Sequence, residues 1–135
     1  MQKEQLIEEA INIRNHAYTP YSKFPVGAAL RTKSGSVYLG CNIENAAYPV
    51  SCCAERVAIF KAISEGETEF DEMAVAADTK RPVPPCGSCR QVMSEFFNQD
   101  MLIHTTNIDR LVKTFTMEEL LPFSFAPTDL PADEQ

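Results

Sequence analysis

The chain has 135 residues, of which 44% are hydrophobic and 23% are charged, and its formal net charge is −7. Proteins that bind nucleic acids usually present a basic face, so this acidic balance disfavours a polynucleotide partner. The uninterrupted apolar runs are short and the N-terminus shows no signal-peptide pattern, so we expect neither a membrane span nor export. The odd number of cysteines, five, predicts reduced thiols in the cytoplasm rather than a disulfide framework.

The first half of the chain predicts a helix, a hairpin and a second helix. Apolar residues recur at helical spacing over residues 3–17, and the prolines at 20 and 25 then force an extended loop. Two β-like runs over residues 26–32 and 37–43 are joined by a short polar turn, which is typical of a hairpin. We expect the second helix to begin at Ser51 or Cys52 and to run to about Glu65, with Gly66 as its stop signal.

The second half predicts three further strands and two helices. The strands fall at 72–77, 101–106 and 111–115, the third helix at 87–98, and Thr116 and Glu119 have capping-box spacing for a short final helix ending at Leu121. The acidic run from Glu65 to Glu72 is interpreted as a solvated connection. The order of elements predicts an α/β fold with a single mixed five-stranded sheet flanked by helices in a three-layer α-β-α arrangement. With no linker or repeat, residues 1–135 are predicted to form one domain.

Two cysteine segments suggest a metal site. Cys53 precedes Ala54 and Glu55, and Cys86 and Cys89 have C-x-x-C spacing. Both segments fall at predicted helix starts, where the positive end of the helix dipole stabilises thiolates. A lone C-x-x-C suits a redox pair as well as zinc, but three thiols beside a carboxylate favour a zinc site with an open fourth position.

The remaining cysteines and a nearby arginine complete this interpretation. Cys52 competes with Cys53 as the ligand, and the Cys-x-Glu spacing to Glu55 selects Cys53. We interpret Cys41 and Cys52 as small core residues. Three thiolates leave a zinc site with a net negative charge, so we hypothesise that Arg56 offsets it by a hydrogen bond to one or two cysteine sulfurs.

The chain resembles the cytidine deaminases of the small, all-cysteine zinc type over most of its length. The resemblance rests on residues 21–30 (YSKFPVGAAL), 40–49 (GCNIENAAYP), 53–56 (CAER) and 85–91 (PCGSCRQ). Zinc deaminases of nucleobases share a signature in which a non-ligating Glu lies two residues past the first ligand.

This resemblance implies a zinc-dependent hydrolase of pyrimidine salvage. It implies one Zn²⁺ per chain, held by Cys53, Cys86 and Cys89. Zinc-activated hydroxide would attack C4 of cytidine or 2′-deoxycytidine, with Glu55 as proton shuttle, to give uridine or 2′-deoxyuridine and ammonia.

The resemblance also implies how the nucleoside is held. Asn42 and Glu44 would hold the ribose 3′-hydroxyl, Phe24 would lie against the pyrimidine, and Ala54 would be a further substrate-binding residue. Other contacts would come from neighbouring subunits of a homotetramer, namely Ala46, Tyr48 and Phe125, with Phe123 as the alternative to Phe125.

Other interpretations remain open on the sequence. One is a deaminase of a different small substrate, such as an aminonucleoside antibiotic, or of a polynucleotide. Another is a non-catalytic, zinc-stapled interaction module in which Cys41 or Cys52 supplies a fourth ligand. That module would leave Glu55 and the pair Asn42 and Glu44 without a role.

Overall fold

The computed structural model describes residues 1–131. Its α-helices are α1 (Lys3–Ile13), α2 (Ala54–Ser64), α3 (Gly87–Phe96) and α4 (Met117–Leu120). Its strands are β1 (Val26–Thr32), β2 (Val37–Cys41), β3 (Phe70–Ala77), β4 (Leu102–Thr106) and β5 (Val112–Thr116). Short 3₁₀ turns lie at Arg14–His16, Tyr48–Val50 and Pro127–Asp129. The predicted irregular tail beyond residue 131 lies outside the described residues.

The strands form a single five-stranded sheet in the order β2-β1-β3-β4-β5. The pairing of β3 with β4 is parallel and the other three pairings are antiparallel. A parallel pair needs a crossover connection, and α3 lies in that connection between β3 and β4. The predicted mixed five-stranded sheet is therefore confirmed.

Helices cover both faces of this sheet. Alternate residues of a strand point to opposite faces, so Ala28 and Leu30 of β1 pack in one core cluster while Ala29 packs in the other. The cluster of Ala29 contains Leu6 and Ala10 of α1, whereas the other contains residues of α2, α3 and α4. The three-layer α-β-α prediction is confirmed. Within residues 1–131, no helix is both long and apolar enough to cross a membrane.

Gly40 sets the distance between β2 and the first turn of α2. A Cβ atom at this position would lie 2.3 Å from the carbonyl oxygen of Ala54 and 2.6 Å from the backbone nitrogen of Ala58. Side-chain carbons do not approach backbone atoms so closely, which means that only glycine allows this packing. The start of α2 is thereby held against the sheet.

Several predicted boundaries were wrong, and the correction nearest the cysteine segments concerns α2. This helix begins at Ala54 rather than at Ser51 or Cys52. Cys52 instead exchanges two backbone hydrogen bonds with Ile43, each with an N···O distance of 2.9 Å, and this bridge keeps the chain extended up to Cys53. The same bridge separates Ile43 from β2, which ends at Cys41.

The smaller boundary errors are of a few residues. α1 ends at Ile13 and continues as a 3₁₀ turn, β3 begins at Phe70, and α3 ends at Phe96. β4 begins at Leu102, β5 runs from Val112 to Thr116, and α4 ends at Leu120. The predicted C-terminal glycine of α2 does adopt the left-handed conformation, because Gly66 has a φ of 92°.

The end of the acidic run is not a solvated connection. Asp71 and Glu72 belong to β3, and Glu72 takes part in a group of side chains that we call the sheet cluster: Arg31, Glu72, His104 and Thr114. His104 pairs with Ala74, which packs on the face that α1 covers, and the strand register places the other three residues on the same face. The cluster joins β1, β3, β4 and β5 across the sheet.

Candidate active site

Three cysteine sulfurs meet where α2 and α3 begin. The Sγ atoms of Cys53, Cys86 and Cys89 all lie within 4.8 Å of one another, and those of Cys53 and Cys86 are 3.8 Å apart. A tetrahedral zinc ion with Zn–S bonds of about 2.3 Å holds its sulfurs about 3.8 Å apart. The three thiols therefore fit zinc, and the fourth position of the tetrahedron receives no cysteine from residues 1–131.

The helix starts hold these sulfurs in place. Cys53 is the N-cap of α2 and Cys86 is the N-cap of α3, while Cys89 lies in the first turn of α3. The C-x-x-C pair thus spans the cap and the first turn, rather than lying wholly within the helix. A hydrogen bond from Cys89, aided by one from Arg56 and opposed by burial, lowers the pKa of the Cys53 thiol to about 5.

Glu55 lies in the first turn of α2, and its side chain borders the same cavity as Cys53 and Cys86. It is only 4% exposed, and burial raises the pKa of its carboxyl to about 7. Glu55 is absent from the group of side chains that converge on the metal position. A buried carboxylate beside a metal, but outside its ligand set, is placed to exchange protons with a molecule in the cavity.

Arg56 contacts the sulfur cluster from the side of α2. Its Nη2 atom donates a hydrogen bond to Cys53 Sγ at 3.2 Å. Hydrogen bonding to Cys53 is also the main reason why the pKa of Arg56 is raised, so Arg56 remains protonated and positively charged. Among residues 1–131, Arg56 Nε is the one buried side-chain nitrogen or oxygen atom that lacks a hydrogen-bond partner.

The cavity over the sulfurs measures ≈ 300 Å³. Small-molecule sites occupy roughly 300–1,000 Å³, so this cavity suits a ligand at the small end of that range. Its lining residues are Ser22, Phe24, Val26, Asn42, Glu44, Cys53, Ala54, Glu55, Val75, Ala77, Val83, Pro84, Pro85 and Cys86.

Asn42 and Glu44 reach this cavity because the backbone between them is extended. Ile43 is bridged to Tyr18 on one side and to Cys52 on the other. Alternate residues of an extended segment point in opposite directions, so Asn42 and Glu44 face the cavity while Ile43 is exposed. The metal cluster and the predicted ribose pair are therefore brought to one site.

The other predicted substrate contacts divide into two groups. Phe24 and Ala54 line the cavity, as do Cys53 and Cys86 of the sulfur cluster. Ala46, Tyr48 and Phe125 do not line it within this chain, and Tyr48 and Phe125 are 68% and 57% exposed. Tyr48 instead stacks edge-to-face on Tyr21 at 5.8 Å between ring centroids, and the Phe125 carbonyl accepts a hydrogen bond from Gln91.

Sequence reasoning missed several residues of the cavity. Val75 and Ala77 at the end of β3 line it with apolar side chains, and so does Val83, which precedes the two prolines of the loop before α3. Their period-2 spacing in β3 indicates a buried face but no function. Ser22 was also missed as a functional residue, although it lies within the segment on which the family resemblance rests.

Known proteins resemble the chain over most of its length. The family model described as "Cytidine and deoxycytidylate deaminase zinc-binding region" matches residues 1–105. The cytidine deaminase of Sporosarcina psychrophila is 52% identical over 130 residues, covering 96% of both chains. That of Halalkalibacterium halodurans is also 52% identical over 130 residues, covering 96% of this chain and 98% of its own.

A solved structure shows the same architecture. The crystal structure of cytidine deaminase from Burkholderia pseudomallei superposes with a TM-score of 0.90 at 45% sequence identity. The match covers 93% of this chain and 100% of that chain.

Proposed function

The chain belongs to the cytidine and deoxycytidylate deaminase family, and we propose that it hydrolyses cytidine and 2′-deoxycytidine to uridine and 2′-deoxyuridine with release of ammonia. The resident metal of this family is zinc, which the three cysteine sulfurs suit. The family prediction made from the sequence is confirmed.

One observation carries the proposal: a buried carboxylate, a three-sulfur metal cluster and a pair of hydrogen-bonding side chains border a single small cavity. Glu55, Asn42 and Glu44 all line it with Cys53 and Cys86 of the cluster. A non-catalytic zinc module has no use for this combination. A polynucleotide substrate is disfavoured by the net charge of −7.

Each group of residues has a proposed task in the reaction. When bound, zinc would lower the pKa of a water molecule at its open position towards neutrality and so supply a nucleophile. Glu55 accepts one proton of the attacking water and passes it to N3 of the pyrimidine. It then takes the second proton from the new hydroxyl group on C4 and gives it to the departing amine, so that the C4 carbonyl forms. Water is consumed, the bond between C4 and the exocyclic nitrogen breaks, and ammonia leaves.

The remaining residues bind and orient the nucleoside. Phe24 contributes an aromatic ring for contact with the base, and Ala54 is a further substrate contact; both residues line the cavity. Asn42 and Glu44 receive a sugar hydroxyl. Buried polar groups matched to a hydroxyl reject ligands that lack it, so we propose a nucleoside substrate rather than free cytosine.

We test this function by following ammonia release and the loss of cytidine absorbance with the purified protein and stoichiometric zinc. Deamination of cytidine and deoxycytidine is expected, with no turnover of free cytosine. A matched Cys86→Ala protein should lose both zinc and activity. A wild-type protein that binds zinc but releases no ammonia from either nucleoside would refute the proposal. Activity on an aminonucleoside antibiotic alone would support the related substrate class instead.

We further propose that the enzyme is a cytoplasmic homotetramer in which residues 1–135 act as one unit. Reduced thiols, which the metal site requires, suit the cytoplasm. The support for shared sites is the exposure of Tyr48 and Phe125 away from the cavity of their own chain. Deleting residues 122–135 should raise KM sharply. An unchanged KM in an intact tetramer would contradict the role proposed for Phe125.

A further inference from the structure

Hydrogen bonds from one loop fill most of the acceptor positions of the Glu44 carboxylate. Its Oε1 atom accepts backbone hydrogen bonds from the N–H groups of Tyr21 and Ser22, each at 3.1 Å. Its Oε2 atom accepts a hydrogen bond from the Ser22 hydroxyl. Each oxygen of an ionised carboxylate has two acceptor positions, so one position remains, on Oε2.

The side-chain amide of Asn42 also makes hydrogen bonds within the protein. Its Oδ1 atom accepts a hydrogen bond from the Val26 N–H, and its Nδ2 atom donates one to the Phe24 carbonyl, both at 2.9 Å. An amide nitrogen carries two hydrogens, so one N–H of Asn42 remains available. With Glu44, the pair therefore offers one charged acceptor and one donor, which together match the donor and acceptor of a single hydroxyl group.

The Ser22 hydroxyl connects this pair to Phe24. Besides donating to Glu44, its oxygen accepts a hydrogen bond from the Phe24 N–H at 3.1 Å. Lys23, between the two, has a φ of 59°, which is a strained conformation for a residue with a side chain. Such strain persists where surrounding contacts over-determine the backbone, and the bonds of Ser22 and Asn42 on both sides of Lys23 do so.

We propose that Ser22 is a positioning residue for the reaction: its hydroxyl aims the last free acceptor of Glu44 at one sugar hydroxyl. This inference rests on the proposed function and adds a residue to its site. The hydroxyl of Ser22 is also the main reason why the pKa of Glu44 is lowered, which favours the ionised form that accepts hydrogen bonds.

The test compares Ser22→Ala with Ser22→Thr, using cytidine and 3′-deoxycytidine as substrates. Loss of a hydrogen bond to a charged group should raise the KM for cytidine about 10-fold in Ser22→Ala, with kcat within about 2-fold. Ser22→Thr keeps the hydroxyl and should restore the KM to within about 3-fold. With 3′-deoxycytidine, wild type and Ser22→Ala should have the same KM within about 2-fold, because the hydroxyl that Glu44 receives is missing.

The controls separate the possible failures. Ser64→Ala removes a hydroxyl that bonds the Lys61 carbonyl at the far end of α2 and should change no kinetic parameter. An equal loss with both substrates, or no loss with cytidine, would overturn the inference while leaving the proposed function intact. A wild-type enzyme that leaves cytidine unchanged would refute the proposed function itself, and the inference with it.

Discussion

Two polar clusters lie on opposite faces of the sheet, and they differ in how completely their hydrogen bonds are formed. In the sheet cluster, His104 Nδ1 lies 2.8 Å from Thr114 Oγ1, and its Nε2 lies 2.5 Å from Glu72 Oε2. The other oxygen of Glu72 accepts a hydrogen bond from Arg31 at 2.9 Å. Each of these groups is bonded to another member of the cluster.

The cavity cluster of Glu55, Arg56 and the three cysteines is different. Arg56 Nε is buried without a partner among the described residues, and Glu55 borders open space. Buried polar groups in proteins are nearly always paired, because an unpaired one costs about 1–3 kcal/mol. The comparison teaches that burial alone does not mark a functional site. A functional site is marked by buried polar groups whose hydrogen-bonding capacity is not used within the protein and is available to a ligand.

The first way to sharpen this comparison is Glu55→Gln, for which we expect the largest effect. Removing a general acid–base group should lower kcat for cytidine by about 10²–10⁴-fold, while zinc content and urea midpoint are unchanged or slightly improved. Steady-state kinetics and metal analysis measure this. Glu65→Gln, at the other end of α2, is the matched control and should behave as wild type. Normal turnover in the Glu55→Gln enzyme would refute the proposed role of Glu55 as the general acid–base group.

Substitution in the sheet cluster should lower stability and leave activity unchanged. Glu72→Leu leaves Arg31 and the buried His104 without their common partner and should cost about 2–3 kcal/mol of unfolding free energy. Activity per folded molecule should be unchanged, since the cluster lies on the other face from the cavity. Urea denaturation at fixed protein concentration measures the stability.

Asp71→Asn provides a control within the same strand. Asp71 also pairs with Arg31 at 2.9 Å, but its side chain is 50% exposed, so the loss should stay below about 1 kcal/mol. If Glu72→Leu lowered turnover without lowering stability, the division into a structural and a functional cluster would break down.

The last prediction concerns zinc affinity in Arg56→Gln. Groups that hydrogen-bond to metal ligands typically change metal affinity or activity by about 10–100-fold, and we expect a loss in that range for zinc. Competition with a chromogenic chelator measures it, with Lys61→Gln on the same helix as control. Unchanged zinc affinity and turnover would show that the bond to Cys53 is incidental.

The sequence was informative where chemistry is local. Cys53 and Glu55 are two residues apart, and Cys86 and Cys89 are three apart, so the metal site could be predicted from spacing. The sheet cluster could not, because Glu72 and His104 meet only through the parallel register of β3 with β4. Charge and spacing made the end of the acidic run look like a solvated loop.

The same limit explains the misplaced start of α2 and the missed Ser22. Cys52 has no local reason to stay outside the helix, and its backbone bonds to Ile43 provide a tertiary one. The Ser22 hydroxyl could be recognised as functional only after the loop had brought it to Glu44, 22 residues along the chain. Hydrogen bonds between distant segments decide both positions.

The close packing around Gly40 affects which positions of the chain will tolerate substitution. A single added methyl group there would press on the Ala54 carbonyl, which lies between the ligand Cys53 and Glu55. A mutational scan scored on growth should therefore rank Gly40 beside the metal ligands, although it does not line the cavity. Substitutions should therefore be poorly tolerated even in the second strand of the hairpin, at a glycine that has no side chain.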